Sequence, residues 1–214
     1  LQPIVARLGM LNALAQLLLK LTSPGVPDLY QGQELWDFSL VDPDNRRPVD
    51  YALRQRLLAD LRLRIQHGDV RTLARELVDG WEDGRIKLYV THRALALRSA
   101  KAVLFRTAQY HPLVPAGERV AHLLAYVREW EGDAVVTVVP RMVAELTRES
   151  GYALPDRSLW KGSFIEGTEA LLGGRWRNAF TGEELVARPR GVGVALAADE
   201  LFADFPLALL ERSV

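Results

Sequence analysis

The residues best suited to chemistry lie in one stretch, Leu21 to Tyr51, LTSPGVPDLYQGQELWDFSLVDPDNRRPVDY. Tyr30, Gln31, Gln33 and Glu34 set a phenol, two amides and a carboxylate close together, and Trp36 adds a flat apolar ring. Asp42, Asp44, Asn45, Arg46 and Arg47 follow in a turn-rich DPDNRRP run. Carboxylate acceptors beside guanidinium and amide donors suit the vicinal hydroxyls of a sugar, and an aromatic face suits its C–H groups. Each group also has a structural reading. Glu34 and the glutamines would tie the loop to its neighbours, Arg46 and Arg47 would pair with Asp42, Asp44 or Asp50, and Trp36 would pack under the loop.

These residues need elements to hold them. Gln2 to Lys20 has Ile4, Leu8, Leu11, Leu14, Ala15 and Leu18 at spacings of three and four, with Pro3 in the first turn, and reads as an amphipathic helix. Leu17 and Leu19 widen its apolar stripe, so burial on more than one side is expected. Thr22-Ser23-Pro24-Gly25 breaks it, Val26–Tyr30 reads as a short strand, and the polar loop leaves that strand's end. Val49 to Gln66 reads as a second helix ended by Gly68, with Arg54, Arg56, Arg62 and Arg64 on its solvated face. Asp69 to Val78 reads as a third. Arg85 to about Arg98 is a fourth that runs on toward Phe105.

PGVPDLYQGQEL followed by LVDPDNRRPVDY resembles the last strand and following loop of the α-amylase type of (β/α)8 barrel, and more closely the maltooligosyltrehalose synthase family. GRIKLYVTHRALALR is similar to the helix that closes that barrel. The resemblance implies retaining glycosyl transfer: the reducing-end α-1,4 linkage of a maltooligosaccharide becomes an α,α-1,1 linkage, through a nucleophile and an acid about 5–5.5 Å apart. In this family those carboxylates and a third sit on strands four, five and seven, and this chain matches only the eighth. No catalytic residue is therefore assigned here. The chain is expected to be the C-terminal part of such an enzyme, inactive alone, with a maltooligosaccharide and the upstream remainder of the barrel as partners. An α-amylase-type hydrolase or transferase fragment and a non-catalytic carbohydrate-binding module are the alternatives.

From Gln109 the hydrophobic period drops toward two. Strands are expected at Gln109–Val114, His122–Arg128, Ala134–Pro140, Trp160–Ile165, Arg175–Phe180, Gly193–Ala197 and Pro206–Leu210, with a helical insertion over Arg141–Gly151. That pattern points to an antiparallel sandwich or barrel. VVTVVPRM, GRWRNAFTGEEL and LFADFPLALL look like the family's terminal β domain. The expected organisation is residues 1–107 as the end of the barrel and 108–214 as an antiparallel β-sandwich domain.

Composition narrows the rest. Lys plus Arg and Asp plus Glu number 27 each, which favours neither nucleic acid nor an anionic membrane. Cysteine is absent, so thiolate metal sites and disulfides are excluded, in keeping with a cytoplasmic location. His67, His92, His111 and His122 are scattered, so no metal or other cofactor is expected. Trp81, Trp130, Trp160 and Trp176 read as core or hairpin residues, Gly191-Val192-Gly193 as a strand with a bulge, and Ser150-Gly151 and Ser163 lack a nucleophile-elbow context. No apolar run reaches the ~20 residues of a membrane span, and Leu1 is no initiator. Expressed alone, the chain is expected to self-associate through unpaired edges and apolar patches; light scattering that returns a monodisperse monomer with a sharp melting transition would contradict this.

Overall fold

The computed structural model describes residues 1–148 and 156–213. Helix α1 runs from Gln2 to Thr22, α2 from Tyr51 to His67, α3 from Val70 to Asp79, α4 from Arg85 to Ala100 and α5 from Ala102 to Thr107. The second and third begin on carboxylate caps: Asp50 accepts from Leu53 N at 2.8 Å and Asp69 from Arg71 N at 2.9 Å. The expected fourth helix is divided at Lys101, which caps both α4 and α5.

Val26–Tyr30 does not form the expected strand. It has no ladder partner among the described residues, and Val26 is fully exposed. A strand is a property of a pair, so an apolar, β-prone run without a neighbour stays coil.

Beyond Thr107 the described strands are all antiparallel. β1 is Gln109–Pro112, β2 Val114–Gly117, β3 Leu123–Trp130, β4 Asp133–Pro140, β5 Ser163–Gly167, β6 Arg175–Asn178, β7 Glu184–Val186, β8 Arg188–Arg190, β9 Gly193–Ala197 and β10 Ala208–Ser213. They make a six-stranded sheet ordered β1-β3-β4-β10-β6-β7 and a four-stranded sheet ordered β2-β5-β9-β8. Several expectations are corrected. Pro115-Ala116-Gly117, outside the expected strands, belongs to β2 and pairs with β5, and the run from Gln109 is broken at Leu113 where the chain changes sheets. Trp160 sits in a one-turn helix, so that strand starts later, at Ser163. β6 stops at Asn178, before Phe180, and the last strand begins at Ala208 rather than Pro206. Gly191-Val192 is not a bulge but the two-residue turn between β8 and β9, with Gly191 at φ +58°. The helical insertion is one turn, Val143–Leu146, and residues 149–151, including Ser150-Gly151, lie outside the described residues.

β4 explains the layering. Ala134, Val136 and Val138 pack with Val127, Ile165, Leu196 and Leu210 between the two sheets, whereas Val135 and Val139 pack with Leu14, Leu18, Leu21 and Phe105 from the helices. The six-stranded sheet is thus covered on both faces, and β4 is buried along nearly its whole length instead of alternating. Trp160 and Trp176 are buried, Trp81 is half-buried, and Trp130 lies at a strand end with 36% exposure. Helix α1 is long and apolar enough to cross a membrane by length and composition, which the run-length reading missed because Arg7 and Lys20 interrupt it; its C-terminal half is packed in the core.

Two contacts dock α3 and α4 on the segments that follow β6 and precede β10. Tyr89 donates to Phe180 O at 2.6 Å within an aromatic group with Phe180 and Phe205, and burial pushes its phenol up to about 12. Asp204, its side chain 5% exposed, accepts from Arg71 Nε at 2.6 Å and Arg75 Nε at 2.5 Å. Burial alone would raise the Asp204 carboxyl, but the bonds from Arg75 and Arg71 outweigh it and hold it below 3.8. A carboxyl lowered on folding contributes stability above its unfolded value and loses it as pH falls through the lower folded value. Asp204→Asn is accordingly expected to cost about 1–2 kcal/mol at neutral pH, discounted because both arginines are largely exposed. In urea titrations the gap between wild type and variant should persist from pH 7 to pH 5 and narrow below pH 3.8, the ordinary carboxyl value.

Candidate functional site

The polar loop is held in two different ways. Its first part, Tyr30 to Trp36, is tied to helices. Gln33 N donates to Tyr30 O at 3.2 Å to close a turn, and Gly32 takes φ +89° within it. A side chain at Gly32 would meet Val49 Cγ2 at 3.0 Å, so the turn lies directly against the residues that start α2. Tyr51 donates its hydroxyl to Gln31 Oε1 at 3.0 Å, and Arg54 Nε donates to Glu34 Oε2 at 2.9 Å. Tyr30, Gln31 and Gln33 are exposed, and Glu34 is half-buried.

Trp36 is anchored from the other side. Its indole N–H donates to Trp81 O at 2.7 Å, and Lys87 sits over its ring at 5.8 Å while donating to Leu35 O at 3.1 Å. Burial lowers the Lys87 ammonium, with Asp37 opposing the shift. Gly84 makes the approach possible: at φ +81° it starts α4, and a Cβ there would lie 3.0 Å from Trp36 N. Trp36 and Trp81 border a cleft of about 300 Å³ whose other walls include Leu14, Phe202, Phe205 and Asp204.

Residues Leu40 to Arg47 close on themselves. Asp44 accepts from Leu40 N at 2.8 Å and pairs with Arg47, and Asp42 accepts from Arg46 Nη2 at 2.9 Å. Asn45 is exposed on the short helical turn Asp44–Arg46. The structure therefore brings Gln31 and Glu34 together at the head of α2, sets Trp36 apart beside Trp81, and leaves the bonds of Asp42, Asp44, Arg46 and Arg47 within their own loop. Glu34, Asp42 and Asp44 each face a guanidinium, and Asp28 is exposed. A general acid working near neutral pH instead needs an apolar, water-poor pocket.

Tyr51, Arg54 and Lys87 were missed from the sequence. Arg54 is not on the solvated face: its side chain is only 18% exposed. Tyr51 and Arg54 stand three apart at the start of a helix and so share one face beside the loop, which is the signal that would have found them. Arg56 and Arg62 are exposed as expected, and Arg64 pairs with Glu76 at 2.5 Å.

No family model matches the chain. Over 201 residues, 94% of its length, it is 38% identical to a Mycobacterium tuberculosis H37Rv protein named as a maltooligosyl trehalose synthase, covering 20% of that protein. The maltooligosyltrehalose synthase structure from Arthrobacter ramosus matches with a TM-score of 0.67 and 34% identity, over 96% of this chain and 22% of that one. An Anoxybacillus α-amylase matches with a TM-score of 0.53 at 16% identity over 94% of this chain and 32% of that one, a likeness of fold alone. The chain spans about a fifth of the length of the curated relatives it matches.

Gly84→Ala is expected to destabilise the fold by about 1–2 kcal/mol, from left-handed strain and a close contact at Trp36 N. Loss of the Trp36 packing should redshift tryptophan emission, and an unchanged spectrum with unchanged stability would show that the loop tolerates the methyl group.

Proposed function

We propose that this chain, which belongs to the maltooligosyltrehalose synthase family over the fifth of those enzymes' length that it spans, supplies one wall of a site that converts the reducing-end α-1,4 linkage of a maltooligosaccharide into an α,α-1,1 linkage. One observation carries the reading: 38% identity over 201 residues, 94% of the chain, a span too long to leave out the loop from Tyr30 to Arg47. Residues 1–107 would be the end of a (β/α)8 barrel and 108–214 a sandwich domain behind it. The nucleophile and acid would come from the rest of the barrel. An open groove of about 740 Å³ along the first turns of α1, lined by Leu1, Val5, Gly9, Trp36 and Phe38, supports this by offering an apolar face to such neighbours.

Isomerisation requires more than cleavage. After the α-1,4 bond breaks, the freed glucose must stay, turn, and attack through its anomeric hydroxyl before water does. Tyr30, Gln31 and Gln33 are exposed on a hydrogen-bonded turn, and the Gln31 side chain is already held by Tyr51, so the turn can present these groups to sugar hydroxyls. Trp36 is a stacking platform. Asp42, Asp44, Asn45, Arg46 and Arg47 would line the acceptor side, each charged member already paired. The chemistry needs no cofactor or metal, and the enzyme would work in the cytoplasm, away from nucleic acid and membranes.

The test is a product assay on maltopentaose with the complete enzyme beside this chain alone. Non-reducing, trehalose-ended sugar from the complete enzyme and none from the chain is the expected result. Reducing sugars as the sole product would favour an α-amylase-type hydrolase, and inactivity of both would favour a carbohydrate-binding module.

A further inference from the structure

We propose that Arg54 is a positioning residue: it clamps the turn Tyr30–Glu34 so that the amide of Gln31 faces the reacting sugar. The inference rests on the reading that this turn borders the glycosyl-transfer site.

Arg54 makes three bonds in three directions. Nε donates to the Glu34 carboxylate at 2.9 Å, Nη1 to Asp50 O at 3.1 Å and Nη2 to Gly32 O at 2.5 Å. The first and last grip both halves of the turn, and the second ties the same guanidinium to the N-cap residue of α2. Only a planar fork can do this; an ammonium is a point donor on a flexible stem. Val49 closes the turn from beneath at Gly32.

The clamp acts through Gln31. Tyr51 donates its hydroxyl to Gln31 Oε1, and an amide whose oxygen is engaged keeps both N–H donors free. Gln31 is exposed, so those donors face solvent or a ligand. Tyr51 and Arg54 belong to the same first turn of α2, so the turn and the Gln31 amide are both tied to the head of one helix. A loosened clamp would leave the scissile bond's chemistry to groups elsewhere while relaxing the hold on the released glucose. The consequence is specific: water would compete better, and hydrolysis would rise relative to isomerisation.

The experiment measures both products from maltopentaose with the complete enzyme carrying Arg54→Lys, Glu34→Gln, the pair together, and Leu61→Ala. Leu61 is buried on the same helix, away from the loop's bonds, and reports plain destabilisation. Arg54→Lys is expected to lower kcat for trehalose-ended product by about tenfold, the scale of a small misplacement, and to raise the ratio of released glucose to isomerised product several-fold. The double variant should be little worse than Arg54→Lys alone, since the bond weakened by Glu34→Gln is among those lost with the guanidinium. Leu61→Ala should reduce folded protein with the ratio unmoved. If Arg54→Lys does not accumulate folded, Glu34→Gln and Tyr51→Phe read the same ratio. An unchanged ratio in the folded variants overturns the positioning role while leaving the function intact. A wild-type enzyme that forms no trehalose-ended sugar overturns both.

Discussion

The carbonyls that end α1 have no partners within the helix, and two arginines supply them. Arg98 donates Nη1 to Leu21 O at 3.0 Å and Nη2 to Gly25 O at 2.5 Å, and Arg128 donates Nη1 to Thr22 O at 3.3 Å. Arg128 also reaches Phe105 O at 3.3 Å and Ala108 O at 3.1 Å, at the end of α5. A buried guanidinium on β3 thus collects the negative ends of two helices, an arrangement the helix dipole favours. Burial lowers its affinity for the proton, yet an arginine remains charged, so the carbonyl dipoles must balance it. Thr22 Oγ1 lies 2.6 Å from Tyr126 OH, a second tie between the same two elements. Where α1 ends decides where the loop begins.

From that joint the rest of the layering follows. With α1 pinned across the sheet, β4 has no solvated face. Its buried run AVVTVV includes Thr137, whose hydroxyl has no hydrogen-bond partner among the described residues, in an interior that rarely tolerates one. The β6–β7 hairpin meets the helices through Ala179 and Phe180: Arg93 Nε donates to Ala179 O at 2.7 Å and Tyr89 to Phe180 O. Asn178 shapes that hairpin by accepting from Phe180 N at 3.0 Å, and the chain then turns back where Gly182 N donates to Asn178 O at 2.8 Å.

Much of this was legible because the signals are local. The spacing of Leu8, Leu11, Leu14 and Leu18 specifies α1, and Asp50 and Gly68 mark the two ends of α2. Strands β3, β4 and β9 announce themselves by apolar, β-branched runs. What failed was non-local. β2 and β8 are the edges of the small sheet, and each carries a proline, Pro115 or Pro189, that weakens a strand's sequence signal although an edge tolerates it. Val26–Tyr30 has a strand's composition and no partner. Arg54 looked like one more charge on a helix because two of its three acceptors, Gly32 and Glu34, lie about twenty residues away and only the fold brings them close.

The two halves of the candidate site differ in how firmly they are held, and that difference ranks them. Exposed ion pairs such as Arg46–Asp42 are worth at most about 1 kcal/mol and are weakened by salt. A loop secured chiefly by them can adjust to whatever it meets. Gln31 and Glu34, by contrast, are bound to the head of a capped helix, and Trp36 is fixed by a short bond to the backbone at Trp81. Orientation-dependent chemistry needs groups that do not move when the ligand arrives. Under the proposed function, Gln31 and Trp36 would therefore be the groups suited to steering a freed sugar, and Asp42 through Arg47 those suited to adapting to the rest of the glucan.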